Sequence, residues 1–360
     1  MNTSYLELPS TIKEVIASYG FTLDTLQPHI LGERFLMRSI TTNSGHKWVL
    51  LGTRTADQVR VVIKISTDTG GKRELRHERI CRTVLQKIRF AYEVFSLPEE
   101  LLFTEHNNIL IAVHRFIEQD KPFLSRPLPE QFSFALHAFK AQESAHASTY
   151  EHEQLVARTF GARWSKTYLH NFTRFIETIT KESTPRGEDT LLLKRALTFL
   201  QEHTDVIDQY GGFLTHTDFV PHNFRIADRR MYLLDASSLR FGNKYEGWAR
   251  FLNFMTLHNP PLAELLTEYV HANRTPEESL SLRAMRIYRL GEIWAYYAGT
   301  LRYSQGDLLT LNRARTVFWS SVLSAVLKEE SVQLRTIEQY THLRDSLRST
   351  EEKRRQENLH

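Results

Sequence analysis

At 360 residues, 41% of them hydrophobic and 11% aromatic, the chain is long enough to form two lobes around sizeable cores, which argues against a disordered protein. Its 46 basic and 42 acidic residues leave a formal charge of +4, too small an excess to point to a nucleic-acid partner, and the densest charged stretches mix both signs as solvated helix faces do. A lone cysteine, Cys81, excludes an intramolecular disulfide; with no CxxC, no HExxH, no signal-like N-terminus and no apolar run of roughly 20 residues, the chain reads as a soluble cytoplasmic protein without a membrane partner.

In chain order, Thr11 and Glu14 have capping-box spacing, and Ile12, Val15, Ile16 and Tyr19 share one side of a short helix that ends before Gly20. Between Arg34 and Ser66 the pattern turns to short β-rich runs, FLMRSIT, KWVLLGT and VRVVIKIS, which read as three antiparallel strands. Residues 71–90 carry Leu75, Ile80, Val84, Leu85 and Ile88 at helical spacing, and EELLFTE and NILIAVHRFIE then flank HNN as a hairpin. The cluster Pro122, Pro127 and Pro129 marks a connection out of this β-rich part. Helical patterns dominate beyond it, at about 129–150, 165–181, 189–209, 247–257, 261–272, 277–303 and 309–328, with short strands near 213–215, 223–227 and 231–235. The expected fold is therefore α+β in two lobes. Residues 1–118 form an antiparallel sheet with one intervening helix, and residues 119–360 form a mainly helical lobe.

The chemistry concentrates in LTHTDFVPHNFRIADRRMYLLDASSL, residues 214–239. Asp218 follows an apolar run and lies in a loop stiffened by Pro221, where a carboxylate can orient or accept the proton of an attacking hydroxyl. Asn223 and Asp235 offer an amide oxygen and a carboxylate, the hard donors that magnesium prefers, and the strand pair NFRIA and MYLLD returns the chain so that the two can meet. Each residue alone is also an ordinary turn or strand-end polar group. Their joint spacing, HxDxxxxN followed by a second Asp, is that of a phosphotransferase loop.

With these residues the chain resembles the aminoglycoside phosphotransferase and choline kinase group, whose members have a protein-kinase-like fold. HTDFVPHN, residues 216–223, stands where that family has HGDLHPGN; LLDASSLRFG, residues 233–242, stands for its IDWE-type segment; and AQESAHA, residues 141–147, is similar to its LaxLH helix. The resemblance implies ATP or GTP as co-substrate, Mg2+, and a small hydroxylated acceptor. It makes Asp218 the catalytic base or substrate orienter, Asn223 and Asp235 the magnesium ligands, and His216 a structural support. It also implies a strand lysine held by a helix glutamate. In VRVVIKIS, alternation sets Lys64 on the face opposite Val61, Ile63 and Ile65; Glu78 is the preferred partner, with Glu74 one helical turn earlier as the alternative. The backbone at Arg115, Phe116 and Ile117 is assigned to the nucleotide base by the same resemblance.

Two departures accompany it. The phosphate loop falls on ITTNSGHKW, residues 40–48, with Gly45 as its one glycine. Gly247, in GNKYEGWA, replaces an aspartate that supports the catalytic loop in the family, and Glu246 is the expected substitute. These departures motivate an alternative reading, a catalytically weak nucleotide-binding pseudokinase with a regulatory role. Protein phosphorylation is disfavoured because no activation segment ends in APE. The side chains of Glu143, His146, Glu151 and His152 match no metal-site spacing and read as helix surface, and Trp294, Tyr296 and Tyr297 read as core.

Overall fold

The computed structural model describes residues 9–25, 27, 47–88, 96–146, 149–183 and 187–348. The strand expected at FLMRSIT and residues 40–46 of the expected phosphate loop, Gly45 included, lie outside the described residues.

The first helix, α1 (Ser10–Ser18), precedes an antiparallel sheet of β1 (Phe21–Leu23), β2 (Trp48–Arg54), β3 (Arg60–Ser66), β4 (Glu100–His106) and β5 (Ile109–Arg115) in the order β1-β2-β3-β5-β4. Alternation along β3 buries Val61, Ile63 and Ile65 against Ile12 and Ile16 of α1 and Ile111 and Val113 of β5. Lys64, in register with Val49 and Ala112, is left on the other face. The capping box expected at Thr11 does not form: the Pro9 carbonyl takes the amides of Ile12 and Lys13, so the helix begins at Ser10 and Thr11 falls inside its first turn. The strand β1 was not legible; at three residues it is too short to show a period.

Across the sheet's other face runs α2 (Thr69–Lys87), capped by Asp68, whose carboxylate accepts from the Gly71 amide at 2.9 Å. Cys81 and Ile88 at its far end belong to the core of the helical lobe. The N-terminal lobe is thereby fixed to the second lobe by packing as well as by the 117–120 connector.

The second lobe contains α3 (Leu128–Glu143), α4 (Tyr150–Phe160), α5 (Ser165–Ser183), α6 (Gly187–Glu202), α7 (Thr204–Gln209), β6 (Phe213–His216), β7 (Phe224–Ala227), β8 (Arg230–Leu233), β9 (Leu239–Gly242), α8 (Glu246–His258), α9 (Pro260–Asn273), α10 (Pro276–Thr300), α11 (Gly306–Lys328) and α12 (Leu334–Leu347). The helix expected over 129–150 ends early, at Glu143, and a further helix not expected from the sequence begins at Tyr150. The chain leaves α3 after Glu143 because the backbone of Ala145 and His146 pairs with β6, Leu214 N–H donating to Ala145 O at 2.7 Å. The pattern over 189–209 divides at His203, whose ψ of 26° interrupts the helix. Glu143, expected on the surface, is instead paired with Arg274 at 2.6 Å with only 12% of its side chain exposed. Trp294 is core, as expected, whereas Tyr296 and Tyr297 are only half-buried. Among the described residues, no helix is long and apolar enough to cross a membrane.

The axis of this lobe is α10, whose start at Thr275 carries a complete capping box with Glu278. Gly291 lets it lie against α5: a Cβ there would be 2.3 Å from the ring of Phe172. Gly291→Ala is expected to lower stability by about 1–3 kcal/mol through overpacking. Urea unfolding checks this, and adding Phe172→Leu should cost less in the Gly291→Ala background than in the wild type.

Candidate active site

Pairing of β6 with β9, His216 opposite Leu239, brings the Asp218 loop beside the Asp235 segment. The Thr217 N–H and Oγ1 both donate to Ser238 O at 2.9 Å, closing the join. The residue after Asp218 pins the loop from below: Phe219 is buried, stacks on Phe224 at 5.0 Å and leans on Phe139 and Phe251. Pro221–Asn223 forms one 3-10 turn, and Asn223 Nδ2 donates to both the Asp218 backbone oxygen (2.8 Å) and its Oδ2 (2.9 Å). These two bonds direct the amide nitrogen of Asn223 at Asp218 and turn its oxygen away. Leu234 N–H donates to Asn223 O at 2.9 Å, which holds the residue preceding Asp235 against Asn223.

Asp235 is half-buried. Its Oδ1 accepts from Ser237 N (3.0 Å) and Ser237 Oγ (2.5 Å), and its Oδ2 from Ser238 Oγ (2.7 Å). Burial alone would raise its pKa; the Lys64 ammonium, His216 and the two serines more than offset this and hold it below the usual carboxylate range. His216 donates from Nε2 to Asp235 O at 2.8 Å, and burial lowers its pKa, so the ring is neutral and acts as a strut. His114, on the same sheet face as Lys64, is driven down to about 2 by burial and by the Lys64 and Arg82 charges.

Lys64 Nζ lies 2.5 Å from Glu78 Oε1 and donates to Leu234 O at 3.2 Å, with 16% of its side chain exposed and 5% of Glu78's. Glu74 is engaged elsewhere, with Lys47 at 2.7 Å. Of the two carboxylates left open by the sequence, Glu78 is therefore the one that meets Lys64. At the connector, the amides of Arg115 and Phe116 are already bonded to Glu99 O and Arg60 O, both at 2.9 Å, so they do not face a ligand. The Arg115 side chain pairs outward with Glu99, and the Phe116 ring lies between the guanidiniums of Arg60 (4.6 Å) and Arg225 (5.3 Å).

Gly247 does not gain its substitute from Glu246. The Glu246 carboxylate points into the helical lobe, bonded to Arg163 (2.7 Å) and Tyr168 (2.9 Å) and 3.5 Å from Arg289. Gln142 of α3 fills the role: its Oε1 accepts from His216 N–H at 3.0 Å and Thr215 Oγ1 at 3.1 Å. A Cβ on Gly247 would be 2.7 Å from that same Oε1. The long side chain of Gln142 reaches the loop from a different helix because the glycine leaves it space.

Besides Gln142, three contributors escaped the sequence reading. Ser237 and Ser238 sit in a segment where serine is unremarkable. Arg250 of α8 donates from Nε to Asp218 Oδ1 at 2.9 Å, across 32 residues, with nothing in the local pattern to announce it. Among the described residues, no group of three or more His, Cys, Asp and Glu forms a metal cage. A site of one amide and one carboxylate fits magnesium, which draws its remaining oxygens from phosphates and water.

The fold has counterparts among solved structures. Three matches are a thermostable mutant of aminoglycoside phosphotransferase APH(4)-Ia in ternary complex with AMP-PNP and hygromycin B (TM-score 0.58, 14% identity, 89% of this chain and 98% of that one), macrolide 2'-phosphotransferase type I (0.54, 16%, 85% and 96%), and the streptomycin-ATP-APH(2")-IIa ternary complex (0.52, 10%, 91% and 98%). The chain has the aminoglycoside phosphotransferase fold. No family model and no curated protein matches its sequence, so the likeness is one of structure.

A double-mutant cycle tests this arrangement of Gln142 and Gly247. Gln142→Ala should cost about 1–3 kcal/mol by leaving the buried His216 amide unpaired, and Gly247→Asp should also destabilise through the clash. Together they should cost clearly less than their sum in thermal or urea unfolding, since the new carboxylate replaces the lost oxygen in the space that Gln142 vacates.

Proposed function

We propose that this protein is a phosphotransferase that moves the γ-phosphoryl group of ATP or GTP to a hydroxyl of a small molecule. The observation that carries the reading is the bridge made by Lys64, which joins the Glu78 carboxylate of one lobe to the Leu234 carbonyl beside Asp235 in the other. A cation held at that point has phosphates as its natural partner. The APH(4)-Ia structure holds AMP-PNP with hygromycin B and the APH(2")-IIa structure holds ATP with streptomycin, which supports a nucleotide and a small acceptor meeting in the same cleft.

In this reading Asp218 orients the acceptor hydroxyl. The hydroxyl oxygen attacks the γ-phosphorus, the bond from that phosphorus to the β-γ bridging oxygen breaks, the nucleoside diphosphate leaves, and the hydroxyl proton passes to Asp218 or to the transferred phosphoryl group. Asn223 and Asp235 are the residues that would hold Mg2+, which when bound neutralises charge on the phosphates. Lys64 contacts the phosphates and Glu78 fixes its direction. Ile117 offers its backbone to the base. Residues 1–118 then form the nucleotide lobe and 119–360 the catalytic and acceptor lobe.

The regulatory alternative drew on Gly247 and on the glycine-poor phosphate loop, most of which lies outside the described residues. The oxygen of Gln142 in the vacated space weighs against it, because the support of the loop has been kept by other means.

A nucleotide-consumption screen with Mg2+ across hydroxylated acceptors tests the proposal. Asp218→Asn should lower kcat by at least about a hundredfold while nucleotide affinity changes little. A correctly folded Asp218→Asn protein with wild-type turnover would sink it. Nucleotide binding without transfer to any acceptor would favour the regulatory reading.

A further inference from the structure

Arginines gather where α8 and α10 pack together beside Asp218. Arg250 holds Asp218. One turn further along α8, Asn253 accepts from Arg286 Nε of α10 at 3.1 Å and donates back to the Arg286 carbonyl at 3.1 Å, and Thr256 takes a second, longer bond from Arg286 Nη2 at 3.4 Å. One turn along α10, Arg289 lies within electrostatic reach of Asp218 and pairs with Glu292 at 2.7 Å and Glu246 at 3.5 Å. Arg163 shares Glu246.

The ion pairs leave one charge over. Arg163, Arg250 and Arg289 pair with Glu246, Asp218 and Glu292, whereas Arg286, held by Asn253 and Thr256 one turn along α8 and α10, stands outside these pairs. Among the described residues no carboxylate lies within ion-pair distance of Arg286; its side-chain bonds go to a neutral amide and a hydroxyl. Burial, with no opposing charge, lowers its pKa to about 10, still protonated at neutral pH. A half-buried guanidinium without an anion costs desolvation energy that the fold does not recover. Such a group recovers it by pairing with a ligand's carboxylate or phosphate, which it can grip through two parallel bonds.

We propose that the acceptor is a hydroxylated anion, its carboxylate or phosphate held by Arg286, with the hydroxyl to be phosphorylated directed at Asp218. The proposal rests on the phosphotransfer reading for the use of the cleft, and sets the substrate class apart from the polycationic antibiotics bound by the fold's solved relatives. A pocket for those needs surplus carboxylates; this one has surplus arginine. Asn253 and Thr256 hold the planar head of Arg286 in place, so its direction is fixed before a ligand arrives.

The test uses four matched three-carbon alcohols: glycerol, glycerate, glycerol 3-phosphate and 3-amino-1,2-propanediol. Their binding to the full chain with Mg2+ and AMP-PNP is measured by calorimetry at constant ionic strength. At least one of the two anions should bind tenfold or more tightly than glycerol, and the amine most weakly; comparison of the two anions tells carboxylate from phosphate. Arg286→Gln should abolish the preference while leaving AMP-PNP affinity within about twofold, and Arg286→Lys, which keeps the charge, should retain part of it. Equal binding of glycerol and both anions, tighter binding of the amine, or a preference that survives in Arg286→Gln would each overturn the proposal. Because the readout is binding, discrimination that persists in a protein unable to transfer phosphate would count against the phosphotransfer reading alone.

Discussion

The Lys64 ammonium is the point on which the two lobes depend. Its strand gives it direction, since alternation along β3 buries Val61, Ile63 and Ile65 on the opposite face. Glu78 on α2 supplies the counter-charge, and the Leu234 carbonyl takes a further bond from the other lobe. A cation this enclosed is tolerated because both partners are in place, and removal of one would strand the other. The same charge reaches Asp235, where it helps keep the carboxylate ionised against burial, so sheet, helix and acidic segment are coupled through one side chain.

The Asp218 loop is held in a different way, by neutral contacts. Phe219 is sunk among aromatic rings, His216 is a neutral strut on Asp235 O, and Gln142 accepts the His216 amide. In place of the supporting aspartate of the family pattern, the chain uses an uncharged amide that enters from α3 through the space left by Gly247. An amide oxygen in that position accepts the loop's hydrogen bond without adding a buried negative charge beside Asp218 and Asp235. Glu246 is then available to neutralise Arg163 and Arg289 deeper in the lobe.

Much of this was written in the sequence, and the limits have physical causes. Period-two alternation was enough to aim Lys64, and the HxDxxxxN spacing was enough to gather Asp218 and Asn223, because both depend on short-range geometry. Glu78 was preferred over Glu74 but not to its exclusion, since one helical turn divides them and what occupies Glu74 is Lys47, the residue just before β2. Gln142, Arg250 and Arg286 were invisible for the same reason: each acts across tens of residues through a packing that no local pattern encodes. The strand β9 escaped because four residues beside a polar turn carry little period, yet its pairing with β6 is what aligns the two acidic segments.

The account makes the Asn223 and Asp235 pair the place where metal and nucleotide meet, so their binding must be linked. The most direct measurement is the ATP or AMP-PNP affinity of the intact chain with and without Mg2+, compared between wild type and Asp235→Asn. The account predicts at least tenfold tighter nucleotide binding with Mg2+ in the wild type and no such gain in the variant. Equal affinity with and without the metal in the wild type, or an undiminished gain in Asp235→Asn, would contradict it.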